Sequence, residues 1–174
     1  MSHFANRFGR AIRLDASVYE EVEHDSDALV QAMLVVALAS VAGGLGLVNY
    51  LPGISGLFWG VLASFMAWFF WAVVIYIVGG KLLATPSTKT DLGELLRVIG
   101  FASAPGVFRI LGVYGPAREI IFVVSGIWTL IAMIIAVRQA LDFLSTARAV
   151  AVCVIGVILQ YGILFLIYRM SQMV

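Results

Sequence analysis

The chain carries few of the groups that perform chemistry. A single cysteine, Cys153, lies inside an apolar run, so no internal disulfide can form. The two histidines, His3 and His24, both belong to the segment before Ala28. Charged residues make up 12% of the sequence, against about 25% in globular chains. The net charge of +1 excludes the global basic field that gathers nucleic acid. There is no Gly-x-x-x-x-Gly-Lys-Ser/Thr phosphate loop, and Gly79-Gly80-Lys81 is too short to be one. The carboxylates concentrate before Ala28 and Cys153 stands apart from them, so no metal site is expected. Gly53-Ile54-Ser55-Gly56 has the Gly-x-Ser-Gly pattern of intramembrane serine proteases. A nucleophilic serine needs a base within reach, and both histidines fall on the opposite side in the topology derived below. Neither a catalytic role nor a cofactor is expected, although a bound lipid stays open.

Apolar sequence is abundant. Hydrophobic residues make up 62% of the chain and the mean hydropathy is +1.03. Neither Ala28–Leu51 nor Leu57–Gly80 holds a charged side chain. A soluble core lacks the volume to hide that much apolar surface. A bilayer accepts it, since a helix of roughly 20 apolar residues crosses one. The expected fold is an all-α bundle of about five transmembrane helices. The spans are read at Ala28–Asn49, Leu57–Val78, Leu95–Val113, Ile120–Val137 and Ala149–Tyr168. Leu51 to Gly56 reads as a tight turn, and Gly79-Gly80 as the end of the second span.

Residues 1–27 form a polar leader, followed by the spanning domain 28–174. Phe4, Phe8, Ala11 and Ile12 recur at helical spacing, while Arg7, Arg10 and Arg13 project from another arc. Asp15 falls within the apolar arc and predicts a break at Leu14-Asp15-Ala16. Ser17 with Glu20 fits a capping box for a second short helix. Phe4, Arg7, Phe8, Arg10 and Arg13 are the candidates for a helix lying on the membrane surface, arginines toward headgroups. Eight Lys and Arg residues fall on the leader's side of a five-span topology and three (Arg109, Arg118, Arg169) on the other. The leader should therefore be cytoplasmic and the C-terminus outside.

Glycines suggest helix contacts, because small residues let backbones approach where lipid removes the hydrophobic drive between helices. The candidates are Gly43, Gly44, Gly56, Gly60, Gly126 and Gly156. The third span is interrupted. Gly100, Ser103, Pro105, Gly106 and Arg109 mark a kink or a polar site, since proline removes a backbone hydrogen bond. Arg97 can pair with Glu94, Arg109 with Glu119, and Arg138 with Asp142. The mid-span indoles of Trp68 and Trp71 need partners, at a helix interface or on a bound lipid, quinone or pigment.

Four stretches together resemble the Yip domain family, the Ypt/Rab-interacting integral membrane proteins, in its short prokaryotic branch. They are Leu14 to Asp25, Gly79-Gly80-Lys81, Val98 to Pro105 with its Gly-aromatic-x-x-x-Pro element, and Ile127-Trp128 followed by Arg138-Gln139-Ala140 and Leu144 to Ala149. The resemblance implies five spans with a cytoplasmic N-terminus in a prokaryotic inner membrane. For eukaryotic members it implies binding of prenylated Rab GTPases. The sequence lacks the long N-terminal region and the Asp-Leu-Tyr-Gly-Pro-like motif of that branch, so Rab-type binding is not carried over. The expected function is a scaffold or accessory subunit that binds other integral membrane proteins, self-associates or shapes the bilayer. The alternative is a transporter or channel subunit with a polar site at the broken third span.

Overall fold

Helix starts follow local chemistry. In the computed structural model, which describes residues 2–47 and 53–172, α1 runs Ser2–Ile12 and α2 Ala16–His24. The break between them falls where Asp15 interrupts the apolar arc. Leu14 takes a positive φ of 61°, and the Asp15 side chain accepts from the Ser17 N–H at 3.0 Å. Asp15 is thus the N-cap, in place of the expected Ser17–Glu20 box. It sits one residue before the helix with an extended backbone, the position from which a carboxylate reaches the free amides.

The bundle follows. Its long helices are α3 (Ala28–Gly46), α4 (Gly53–Ile77), α6 (Arg118–Ala140) and α7 (Thr146–Ser171). α5 is shorter, Leu92–Ala102. Residues 53–56, read as part of a turn, form the first turn of α4, with Gly53 at φ +70°. The expected turn at Leu51-Pro52 lies outside the described residues. Gly79-Gly80 do not end the second span either. The chain winds on through a π-helical turn, Val78–Leu82, and Gly79 abuts Leu141 and Val152, so that a larger side chain would have to displace the Leu141 methyl.

The third span changes helix type instead of kinking within an α-helix. α5 closes at Ala102, and a 3-10 stretch continues from Ala104 to Val113 with Pro105 in its first turn. Proline supplies no N–H and fits best at a helix start, so the tighter helix begins there. Four stretches are long and apolar enough to cross a membrane: Ala28–Gly46, Gly53–Leu82, Leu92–Val113 and Gly115–Ala140. α7 adds a shorter apolar run, Thr146–Gly162, within its 26 residues. The fold is all-α and of the membrane type.

The core gathers Tyr19, Leu95, Phe101, Ile75 and Leu141 between α2, α4, α5 and α6. Outward faces stay apolar: Phe58, Met66 and Phe69 on α4, and Val123, Ile127 and Leu130 on α6, are all exposed. Such surface suits acyl chains, not water.

Candidate functional site

The leader folds against the bundle. Arg7 is buried and reaches Glu21 at 2.8 Å, Asp25 at 2.7 Å and Gln31 at 3.3 Å. Arg10 engages Asp15 at 2.9 Å, Glu21, and the Ser17 hydroxyl at 2.9 Å. These contacts correct the expectation that both arginines face headgroups. A cation close to carboxylates on the adjoining helix gains more from charge-assisted bonds than from a shared, hydrated headgroup layer. Arg13 alone of the three is exposed. Phe4 and Phe8 stack at 5.9 Å and pack on the core. The Ser17 hydroxyl and then Arg10 hold the Asp15 carboxyl down to about 2, and Arg7 then Arg10 hold Glu21 below the usual range.

Two long-range bonds fasten this hairpin. Arg97 of α5 donates to the backbone carbonyls of Val22, at 3.0 Å, and Glu23, at the C-terminal end of α2. The Trp128 indole on α6 donates to the Ile12 carbonyl at 2.9 Å. The expected Arg97–Glu94 pair does not form. Glu94 instead completes a capping box with Asp91, each side chain accepting the other's backbone N–H at 2.8 Å.

Segments distant in sequence meet at this end of the molecule. The Thr88 hydroxyl donates to the Leu141 carbonyl at 3.0 Å, and Ser87 to that of Asp142 at 3.3 Å. Arg138 binds the Phe143 carbonyl and Thr146 instead of pairing with Asp142, because the chain reverses at Asp142 with φ 50°. The leader, the loop after α4 and the α6–α7 connection thus form one polar platform. Its central depression is lined by Glu23, His24, Lys89, Glu94, Arg138 and Asp142, among others. Burial, then the neighbouring Glu94, pushes the Glu23 carboxyl up to about 7. A hydrogen bond to the Glu20 carbonyl, then Glu23, raises His24. The Tyr19 hydroxyl beneath is buried and has no hydrogen-bond partner among the described residues.

Glu23 makes stability pH-dependent. Its folded-state pKa lies above the unfolded value, so its stabilising contribution is complete below about pH 4.5. That contribution is lost as pH rises through about 7. Glu23→Gln should therefore raise the detergent unfolding temperature at pH 8 relative to wild type. The difference should correspond to roughly 1–3 kcal/mol and shrink toward pH 5. Differential scanning fluorimetry across that range checks it.

The second candidate is a cavity of about 520 Å³ among α3, α4, the 3-10 stretch, α6 and α7. Gly43, Gly44, Gly56 and Gly60, named as helix-contact candidates, line it. Ser103, Gly106 and Arg109 from the broken span line it too. Arg109 does not meet Glu119, and no ion pair to it exists among the described residues. Its aliphatic stem passes Gly43, where a Cβ would sit 3.7 Å from Cδ, and its guanidinium lies 3.9 Å from a Cβ built on Gly106. The cavity hydroxyls are already committed. Ser40, Ser64, Ser103 and Thr129 donate to Val36, Gly60, Ile99 and Ser125 carbonyls at 2.7, 2.8, 3.3 and 2.8 Å. The Trp68 indole donates to the Leu96 carbonyl at 3.1 Å, satisfying it within the bundle.

The other predicted residues separate. Pro105 is buried at the helix switch. Gly100 presses on Ala32, and Gly156 receives the Trp71 ring, so both serve packing inside the bundle. Gly126 faces open space.

The profile described as the Yip1 domain matches residues 16–167. The chain belongs to the Yip1 domain family. No curated protein and no solved structure matches it. The Yip1 match begins at Ala16, the first residue of α2, so the helix clamped by Arg97 lies within the Yip1 domain and α1 precedes it. Sequence reasoning missed the carbonyl acceptors of Arg97, within the Yip1 domain, and of Trp128, at Ile12 ahead of it, since backbone oxygens leave no residue signature. It also passed over Gln160, an amide lining the cavity from the apolar run of α7, whose isolation there was a usable signal.

Proposed function

We propose that this Yip1 family protein is a non-enzymatic accessory subunit or scaffold that binds other membrane proteins through its leader-side platform. The supporting observation is that three sequence-distant polar segments are tied into one ordered surface by Arg97, Thr88 and Ser87. A solvated set of loops would not need such bonds. Eight of the eleven Lys and Arg residues belong to that side, a bias that supports the cytoplasmic reading. Leu144 stands on this surface 95% exposed, an apolar side chain on a polar platform. Interface anchors have that character.

The test is site-specific photo-crosslinking from position 144 in intact cells, followed by detergent extraction. A discrete crosslinked species that disappears with a neighbouring Asp142→Arg change supports the reading. Recovery of the uncrosslinked monomer alone overturns it. The second reading, a transporter or channel subunit, is favoured by the cavity beside Arg109.

A further inference from the structure

Arg109 is a half-buried charge on the wall of a cavity that opens to the surface of an apolar bundle, without a counter-ion among the described residues. A cation removed from water is costly unless it is paired. The fold makes room for it. Gly43 lets α3 lie against its stem and Gly106 lies beside its guanidinium. The hydroxyls of Ser40, Ser64, Ser103 and Thr129 donate to their own helices, so among the described residues the donors left lining the space are Arg109, the Gln160 amide and the Trp71 indole.

The position and size of the space narrow the ligand. Gly46, at the end of α3, abuts the Arg109 backbone carbonyl, and Gly112 abuts Phe122, near the start of α6. The Arg109 backbone therefore lies by the end of α3, and its side chain reaches back along the bundle past Gly43 to Gly106. From there the cavity runs inward past Leu57, Val36, Trp68 and Met133, which are apolar. Its volume of about 520 Å³ falls in the range of about 300–1,000 Å³ typical of ligand sites. A bare phosphate, equivalent to a few waters of about 30 Å³ each, would leave most of it empty.

We propose that this cavity binds a phosphate-bearing anion, its charge on the Arg109 guanidinium and its apolar portion among the bundle side chains, as a single anionic phospholipid would provide. A guanidinium presents two parallel N–H groups to a phosphate, and lipid phosphates are the abundant fixed anions at a membrane surface. The shared chemistry is the phosphate, and a free phosphate ion is the other source. The site is independent of the accessory reading, since no residue that lines it belongs to the lining of the platform depression.

The test uses the full chain, purified in mild detergent and reconstituted in nanodiscs of phosphatidylcholine with a minor fraction of phosphatidylglycerol. Native mass spectrometry reads the lipid retained after release. Wild type should retain phosphatidylglycerol over phosphatidylcholine. Arg109→Gln should weaken that retention about tenfold, the loss expected for one charge-assisted contact. Arg109→Lys should keep much of it, and Arg13→Gln, which removes an exposed leader charge, should keep all of it. If Arg109→Gln fails to fold, Gly60→Leu serves instead. A Cβ there meets nothing within 4 Å, so leucine narrows the cavity while Arg109 stays, and retention should fall. Inorganic phosphate alone is titrated in parallel. Stabilisation of wild type but not Arg109→Gln by phosphate, without lipid retention, supports the site and assigns it to the free ion. Equal retention of both lipids by wild type, with no response to phosphate, overturns the proposal.

Discussion

Gly100→Leu is expected to destabilise the bundle by about 2 kcal/mol net. A Cβ built on Gly100 would lie 2.6 Å from the Ala32 Cβ and 3.2 Å from both its Cα and its carbonyl oxygen. None of these atoms can swing away by a rotamer change, so α3 and α5 must separate. Overpacking of this kind costs about 1–3 kcal/mol and sometimes more, and rigid neighbours put it at the upper end. Leucine in a helix interior recovers about 1 kcal/mol over glycine in propensity, too little to offset the clash. Gly126→Leu is the contrast, with nothing within 4 Å of its Cβ. It gains the same propensity without the clash, so its stability in detergent should hold or rise slightly. Unfolding temperatures of the two variants in one detergent decide the matter. Equal effects at both positions would show that α3 and α5 do not cross at Gly100.

This pair also shows where the sequence stops being readable. The class of fold and the existence of the spans follow from apolar length alone. Helical periodicity does not say which face of a span turns inward, because these spans are apolar all round. Gly100 and Gly126 look alike in the chain, yet one receives a neighbouring backbone and the other faces outward. The leader is different. Its polar residues alternate with apolar ones, and the break at Leu14-Asp15-Ala16 was legible for that reason. The partners of its arginines were not. Arg7, Arg10 and Arg13 repeat every three residues, and only the turn at Leu14 brings Glu21 and Asp25 against the first two. For the cavity, Pro105, Gly106 and Arg109 were visible as an interruption. The glycines of α3 and α4 that line the same space were legible only as small residues, since lining a cavity and touching a helix select the same side chain.

Arg97→Met should release the leader while leaving the bundle folded. Methionine keeps an apolar stem of similar length and removes the guanidinium. The carbonyls of Val22 and Glu23 then lose their donor at the C-terminal end of α2, where unsatisfied carbonyls concentrate partial negative charge. Hydrogen bonds involving a charged partner contribute about 1.5–3 kcal/mol each. Water can reach part of this half-buried site, so a total near 3 kcal/mol is expected for the attachment of α2. Amide exchange should accelerate roughly 100-fold across Val18–His24, the arithmetic of about 2.7 kcal/mol, while α6 and the start of α4 keep wild-type protection. An Arg97 that merely snorkelled, or paired with Glu94 on its own helix, would contribute only a few tenths of a kcal/mol, and its loss would leave α2 protected. Glu94→Gln separates these accounts. Its side chain accepts the Asp91 N–H in the capping box, which glutamine can also do, so α2 should exchange as in wild type. Were Glu94→Gln to loosen α2 as far as Arg97→Met does, the leader would be held by the carboxylate and not by the α2 carbonyls.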